Sequence, residues 1–193
     1  HNVKMGAVAR RENPLAPKEG QSVFALARGN NFEASLVRDG AKVLLASMHK
    51  VELLTKTEKS FLDFRTSANG GPLADLDEAI KKSEKLLVSL ADTSTFRGVV
   101  SSLTLRIPKG VMLPEATLII DVVCIKDNPE EGTGAIISVG EVKTYPDRGG
   151  YTSKSDLAKA RAQMGLYVHA LELVLEKLGV STSLALSNEG FLI

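Results

Sequence analysis

Leu118-Ile119-Ile120-Asp121-Val122-Val123-Cys124-Ile125 and Ala135-Ile136-Ile137-Ser138-Val139-Gly140-Glu141-Val142-Lys143-Thr144-Tyr145 flank the run Asn128-Pro129-Glu130-Glu131-Gly132-Thr133-Gly134. Both flanks are rich in β-branched residues, the first as densely as a strand buried on both faces. Asn, Pro and Gly between them supply turn chemistry, so the flanks predict an antiparallel hairpin. In a hairpin symmetric about Glu131, opposed residue numbers sum to a constant, and Asp121 falls across from Glu141. Glu141 and Lys143 stand two apart on one strand and so point to the same face. A slip of one residue would turn one acid away from the other, which makes the register itself an expectation.

Upstream, Leu103-Thr104-Leu105-Arg106-Ile107 alternates as a half-exposed strand does. Gly20 to Arg38 reads as a helix that Asp39-Gly40 stops. Between Val51 and Asp92 the spacing of Leu73, Leu76, Ile80, Leu86, Leu87 and Leu90 is helical, broken at Ala68-Asn69-Gly70-Gly71-Pro72. That region predicts a helical insertion, at about residues 50–95, between the first helix and the first strand. Downstream, Ser153 and Asp156 are spaced as a capping box, and the helix they start runs to Gly179. Its apolar positions Leu157, Ala160, Met164, Val168, Leu171, Leu175 and Leu178 form one stripe at helical period, suited to lying on a sheet. Ser183 to Leu186 and Phe191 to Ile193 read as strands around a Ser187-Asn188-Glu189-Gly190 turn. The expected fold is α/β, a central mixed sheet flanked by helices, in one domain covering 1–193.

Composition narrows the chemistry. The 193 residues are 44% hydrophobic, enough for one well-buried core. Twenty-four basic and 23 acidic residues leave a net charge of +1, so any nucleic-acid partner must be held by a local patch. Cys124 is the single cysteine, which excludes internal disulfides, four-thiolate zinc sites and cysteine-ligated iron-sulfur clusters. No apolar run approaches the roughly 20 residues that cross a bilayer, and His1-Asn2-Val3-Lys4 does not resemble a secretory signal. The cytoplasm is the expected compartment.

Asp121 lies inside an apolar run, where an unpaired carboxylate costs several kcal/mol if buried. Two opposed carboxylates cannot both ionise cheaply without positive charge between them, and a divalent cation resolves that conflict. Oxygen ligands of this kind suit Mg²⁺ or Mn²⁺, with the Val142 carbonyl available to the shell. Lys143 alongside is placed to activate a water or to stabilise charge on a phosphate. The plainer reading is a salt-bridged acid and lysine patch. Gln163 and Tyr167, four apart, share a helix face at the edge of the apolar stripe, either reaching the site or forming a helix flank with a snorkelling tyrosine. Glu33 shares a face with Leu26, Asn30 and Val37, as a third oxygen ligand or as a surface acid paired with Arg28 or Lys18. From Lys143 to Arg161 five basic residues, Arg148 and Lys154 among them, face two acids, a net of +3. Arg10, Arg11 and Arg28 extend this edge, and Gly149-Gly150 offers a flap or a simple turn. His49 and His169 lack metal-ligand spacing, Cys124 has the opposite strand parity to Asp121, and no G-x-S-x-G, dinucleotide or G-x-x-x-x-G-K-S/T motif is present.

The order Gly29-x-x-x-Glu33, Asp121, Glu141-Val142-Lys143, Gln163-x-x-x-Tyr167 resembles the PD-(D/E)XK nuclease superfamily, in its RecB-type branch. Ile120 stands where a proline often precedes the aspartate, and the iron-sulfur cysteines of some relatives are missing. The resemblance implies a restriction-endonuclease-like core and Mg²⁺- or Mn²⁺-dependent hydrolysis of DNA, in repair, recombination or defence against foreign DNA. Asp121, Glu141 and Lys143 would be catalytic, with metal held by Glu33, Asp121, Glu141 and Val142. Gln163, Tyr167, Arg28, Arg148, Lys154 and Arg161 would hold the substrate. Unwinding by ATP would have to come from a separate polypeptide or from a region outside this sequence, and a helicase or a defence complex is the kind of protein partner implied. Two alternatives stay open: a non-catalytic nucleic-acid-binding or assembly module that keeps the fold, and an RNA-cleaving relative.

Overall fold

The computed structural model describes residues 23–55, 60–64, 75–92, 96–109, 115–128, 134–143 and 152–193. In chain order the elements are α1 (Val23–Lys50), β1 (Ser60–Asp63), α2 (Leu76–Asp92), β2 (Gly98–Ile107), β3 (Ala116–Asp127), β4 (Ala135–Glu141), α3 (Lys154–Leu178), β5 (Leu184–Leu186) and β6 (Phe191–Leu192). The strands form one six-stranded sheet in the order β1-β2-β3-β4-β5, with β6 also on β4. β2, β3 and β4 run antiparallel to their neighbours in that trio, while β1 joins β2 and both β5 and β6 join β4 in parallel. This is a mixed α/β sheet flanked by helices, consistent with a restriction-endonuclease-like core.

The side-chain alternation of a strand sends its residues to two faces, and each face finds a helix. On one, Val123, Ile125, Ile137 and Val139 pack with Ala170, Leu171, Val174 and Leu175 of α3 and with Leu87 and Leu90 of α2. On the other, Val99, Val122 and Cys124 pack with Leu36, Leu44 and Met48 of α1. α3 begins as expected: Ser153 Oγ accepts from the Asp156 N–H at 3.2 Å, and Gly179 closes the helix in the left-handed region at φ 72°. α1 is two helices in one, because Asp39, Gly40 and Ala41 have φ of 53°, 70° and 58°. The Asp39-Gly40 stop turns the axis, and the chain resumes a helix immediately.

Two expectations need correction. The region read as helical from Val51 to Asp92 contains β1, whose Ser60-Phe61-Leu62-Asp63 pairs in parallel with Gly98–Ser101. β1, α2 and β2 thus form a parallel β-α-β unit, so α2 crosses between two strands. Four residues give too short a run for periodicity to mark, and a parallel partner 38 residues away leaves no local turn signal. The second correction concerns α3: its buried residues are Ala160, Tyr167, Ala170, Leu171, Val174 and Leu175, so Tyr167 sits at the centre of the stripe and Leu157 and Leu178 at its margins. No helix among the described residues is long and apolar enough to cross a membrane.

Candidate functional site

The hairpin register decides the geometry of the acids. β3 and β4 pair Val122 with Gly140, Val123 with Val139 and Cys124 with Ser138, so the next step outward on both strands is Asp121 beside Glu141. That agrees with the sequence arithmetic. Beyond the last ladder pair the backbone bond is replaced by a side chain: the Val142 N–H donates to Asp121 Oδ2 at 3.0 Å.

Glu141 is fully buried. The Lys143 ammonium forms an ion pair with its Oε1, and Lys143 itself keeps about a third of its side chain in solvent. The Tyr167 hydroxyl also approaches Glu141. These two groups are the polar contacts the described residues bring to the Glu141 carboxylate. A fully buried carboxylate in this condition is costly unless more positive charge reaches it. Asp121 responds to the same surroundings. Burial first, and then the Glu141 charge, push its carboxyl up from 3.8 to about 6, with Glu33 adding to the rise and the Val142 N–H and Lys143 opposing it.

Glu33 of α1 is half-buried and lines a small recess with Leu36, Val37, Leu44, Ser101, Asp121, Val122 and Val142. From the opposite face comes α3. Gln163 Nε2 donates to Tyr167 Oη at 2.6 Å, which leaves the tyrosine proton directed elsewhere. Burial, followed by the negative charges of Asp121 and Glu141, raises the Tyr167 pKa well above its ordinary value, so this phenol stays protonated. Tyr167 is 2% exposed and reaches the acids from within the core.

The E-V-K backbone is held by a strand from further along the chain. β6 pairs Phe191 with Gly140 and Leu192 with Glu141. Ile193 N–H donates to the Glu141 carbonyl at 3.0 Å, and the Lys143 N–H donates to the Ile193 carbonyl at 3.0 Å. Gly140 makes this possible, because a Cβ there would lie 2.2 Å from the Phe191 ring. Gly190 packs as closely on Met164 of α3, where a Cβ would meet Sδ at 2.7 Å. The sequence reading took Phe191–Ile193 as a strand without seeing that it holds the site.

Asp121, Glu141, Lys143, Tyr167, Gln163 and Glu33 therefore converge on one end of the sheet. Arg28, Lys154 and Arg161 are exposed on helix surfaces. Arg148, Gly149, Gly150, Lys18, Arg10 and Arg11 lie outside the described residues. Three other groups stand apart from the site: Cys124 is a buried thiol whose Sγ donates to the Leu53 carbonyl at 3.6 Å, His49 is half-buried and bonds the Leu54 carbonyl at 3.2 Å, and His169 pairs with Glu172 on the exposed side of α3. Among the described residues, no three carboxylate, imidazole or thiol groups form a ready-made metal-ligand cluster. The donor chemistry nevertheless fits a hard cation: two neighbouring carboxylates, one with raised pKa and one fully buried, beside a backbone carbonyl. Comparison with family models, curated proteins and solved structures finds no match for this chain.

Proposed function

We propose that this protein is a Mg²⁺- or Mn²⁺-dependent nuclease that hydrolyses phosphodiester bonds in DNA. The observation that carries this reading is the register that sets Asp121 beside the buried Glu141, with Lys143 paired to it. Asp121, Glu141 and the Val142 carbonyl would hold the cation, and Glu33 faces the same recess. Once bound, such an ion polarises the phosphate and lowers the pKa of a coordinated water. Lys143 has the exposure to reach a phosphate oxygen while its ion pair with Glu141 fixes its position. Tyr167 and Gln163 hold the carboxylate side of the site in place, and the exposed Arg28, Lys154 and Arg161, with Arg148, suit phosphate contacts along the nucleic acid. A helicase or a defence complex is the fitting kind of protein partner for a nuclease of this kind.

The rival reading is a non-catalytic nucleic-acid-binding module that keeps the same fold. The deciding experiment incubates linear, circular and single-stranded DNA, and RNA, with Mg²⁺, Mn²⁺ or EDTA, beside Glu141→Ala and Lys143→Ala. Cleavage abolished by EDTA and by both substitutions supports the nuclease. Binding without cleavage favours the module, and activity confined to RNA changes the substrate.

A further inference from the structure

Among the described residues, four that are not glycine have positive φ: Asp39, Ala41, Glu52 and Ser102. Asp39 and Ala41 turn a helix and Glu52 follows one, whereas Ser102, at φ 59°, lies inside a strand and is 3% exposed. A left-handed serine in the middle of a buried strand is strained, and such strain is kept where something depends on it.

What depends on it is visible in the ladder. β2 and β3 pair Ser101 with Val122 and Leu103 with Ile120, and the pair between them, Ser102 with Asp121, is missing. The residue count is equal on both strands, so this is no ordinary bulge. The faces change instead. Val100 and Leu103, three apart on β2, share the cluster under α3, as do Ile120 and Val123, three apart on β3. Strand periodicity would put residues three apart on opposite faces. Both strands therefore switch faces at the same level. Val99, Val122 and Cys124, on one side of the switch, pack on α1.

Asp121 occupies the switch itself. From there it lines the recess with Glu33 and Ser101, and its Oδ2 still takes the Val142 N–H at 3.0 Å. A regular strand would offer only one of these directions. The distortion is anchored from α2: Thr104 Oγ1 donates to the Ser102 carbonyl at 3.0 Å, and the Thr104 N–H donates to Ser83 Oγ at 2.9 Å. Ser83 in turn donates to the Ala79 carbonyl at 3.0 Å.

We propose that Ser102 is a positioning residue whose left-handed backbone makes the face switch that presents Asp121 to the recess. Its functional consequence rests on the nuclease reading, while its structural content does not. The Ser102 hydroxyl also meets Ser101 Oγ at 3.4 Å, so the role assigned to the backbone has to be separated from that of the hydroxyl. Two variants separate these. Ser102→Gly removes the hydroxyl and favours the left-handed region, whereas Ser102→Thr keeps the hydroxyl and resists that region through its β-branch.

The first readout is amide hydrogen exchange at Val142, which reports the bond to Asp121 with or without metal. Ser102→Gly leaves it as in wild type, and Ser102→Thr speeds it roughly tenfold. The second is Mn²⁺ titration and DNA cleavage, where Ser102→Thr weakens Mn²⁺ binding and lowers kcat roughly tenfold or more at little change in KM. Loss in the glycine variant with retention in threonine overturns the proposal in favour of the hydroxyl. Wild-type behaviour in both overturns it as well. Should the threonine variant not fold, Ser102→Asn and Ser102→Ala decide: asparagine, which tolerates the left-handed region, keeps Val142 protection, alanine loses it, and equal protection in both overturns the proposal. If wild type neither binds Mn²⁺ nor cleaves nucleic acid, the nuclease reading falls, and Val142 exchange still decides the role of Ser102.

Discussion

The two ends of β3, β4 and α3 are built from the same elements to opposite purposes. At one end Val123, Ile125, Ile137, Leu171, Val174 and Leu175 close a layer of aliphatic side chains. At the other, Asp121, Glu141, Lys143, Gln163 and Tyr167 place acids, a cation, an amide and a phenol where that layer would have continued. The first end gains stability from every buried methylene, at about 0.8 kcal/mol each. The second spends buried volume on charges that repel one another. The difference teaches that this chain separates what holds the fold from what the fold presents.

The contrast breaks if substitutions at the two ends act alike. Glu141→Gln should lower cleavage several hundredfold. It should leave the melting temperature unchanged or higher, since it removes a fully buried charge. A melting temperature lowered by the glutamine would show that Glu141 supports the fold. Leu171→Ala should do the reverse, with about 2–5 kcal/mol lost in chemical denaturation and unchanged turnover per folded molecule.

A third experiment sharpens the contrast through pH. The Asp121 carboxyl titrates at about 6 in the folded chain against 3.8 for an ordinary aspartate. The folded state therefore binds this proton more tightly than the unfolded state. The associated stability, roughly 3 kcal/mol, is fully present below pH 4 and lost as pH rises through about 6. A divalent cation takes the ionised form, so the rise in melting temperature with Mn²⁺ should be small at pH 5 and larger at pH 7.5. A shift that does not grow with pH argues that Asp121 is not a ligand.

Smaller effects test the supports. Gly140→Ala forces a methyl into the Phe191 ring and should cost about 1–3 kcal/mol, with activity falling as β6 moves away from Glu141 and Lys143. Gln163→Ala removes the hydrogen bond to Tyr167 and should cost about 1 kcal/mol, measured by denaturation, with a modest loss of rate.

Much of this arrangement was legible because it is local. The turn residues between the two β-branched runs pointed to a hairpin, and the symmetry of its flanks placed Asp121 beside Glu141, as the β3–β4 register does. Ser153, Asp156 and Gly179 marked the ends of α3 through backbone groups that must be satisfied within a few residues. What stayed hidden is non-local. β1 owes its existence to a parallel partner in β2, and Tyr167 is central because Asp121 and Glu141 lie above it, a fact that α3 alone does not encode. Ser102 gave no signal at all, since serine carries no preference for the left-handed region, and only the broken ladder reveals it.

The parallel pairing of β6 with β4 has a consequence for synthesis. Glu33 emerges early and the E-V-K strand later, but the backbone of Glu141 and Lys143 is completed only by Phe191 to Ile193, some 50 residues on. A nascent chain that has exposed Asp121, Glu141 and Lys143 has therefore not yet fixed their geometry. Their geometry comes into existence with the β6 pairing, so whatever delays that pairing delays the assembly of the acids and the lysine as well.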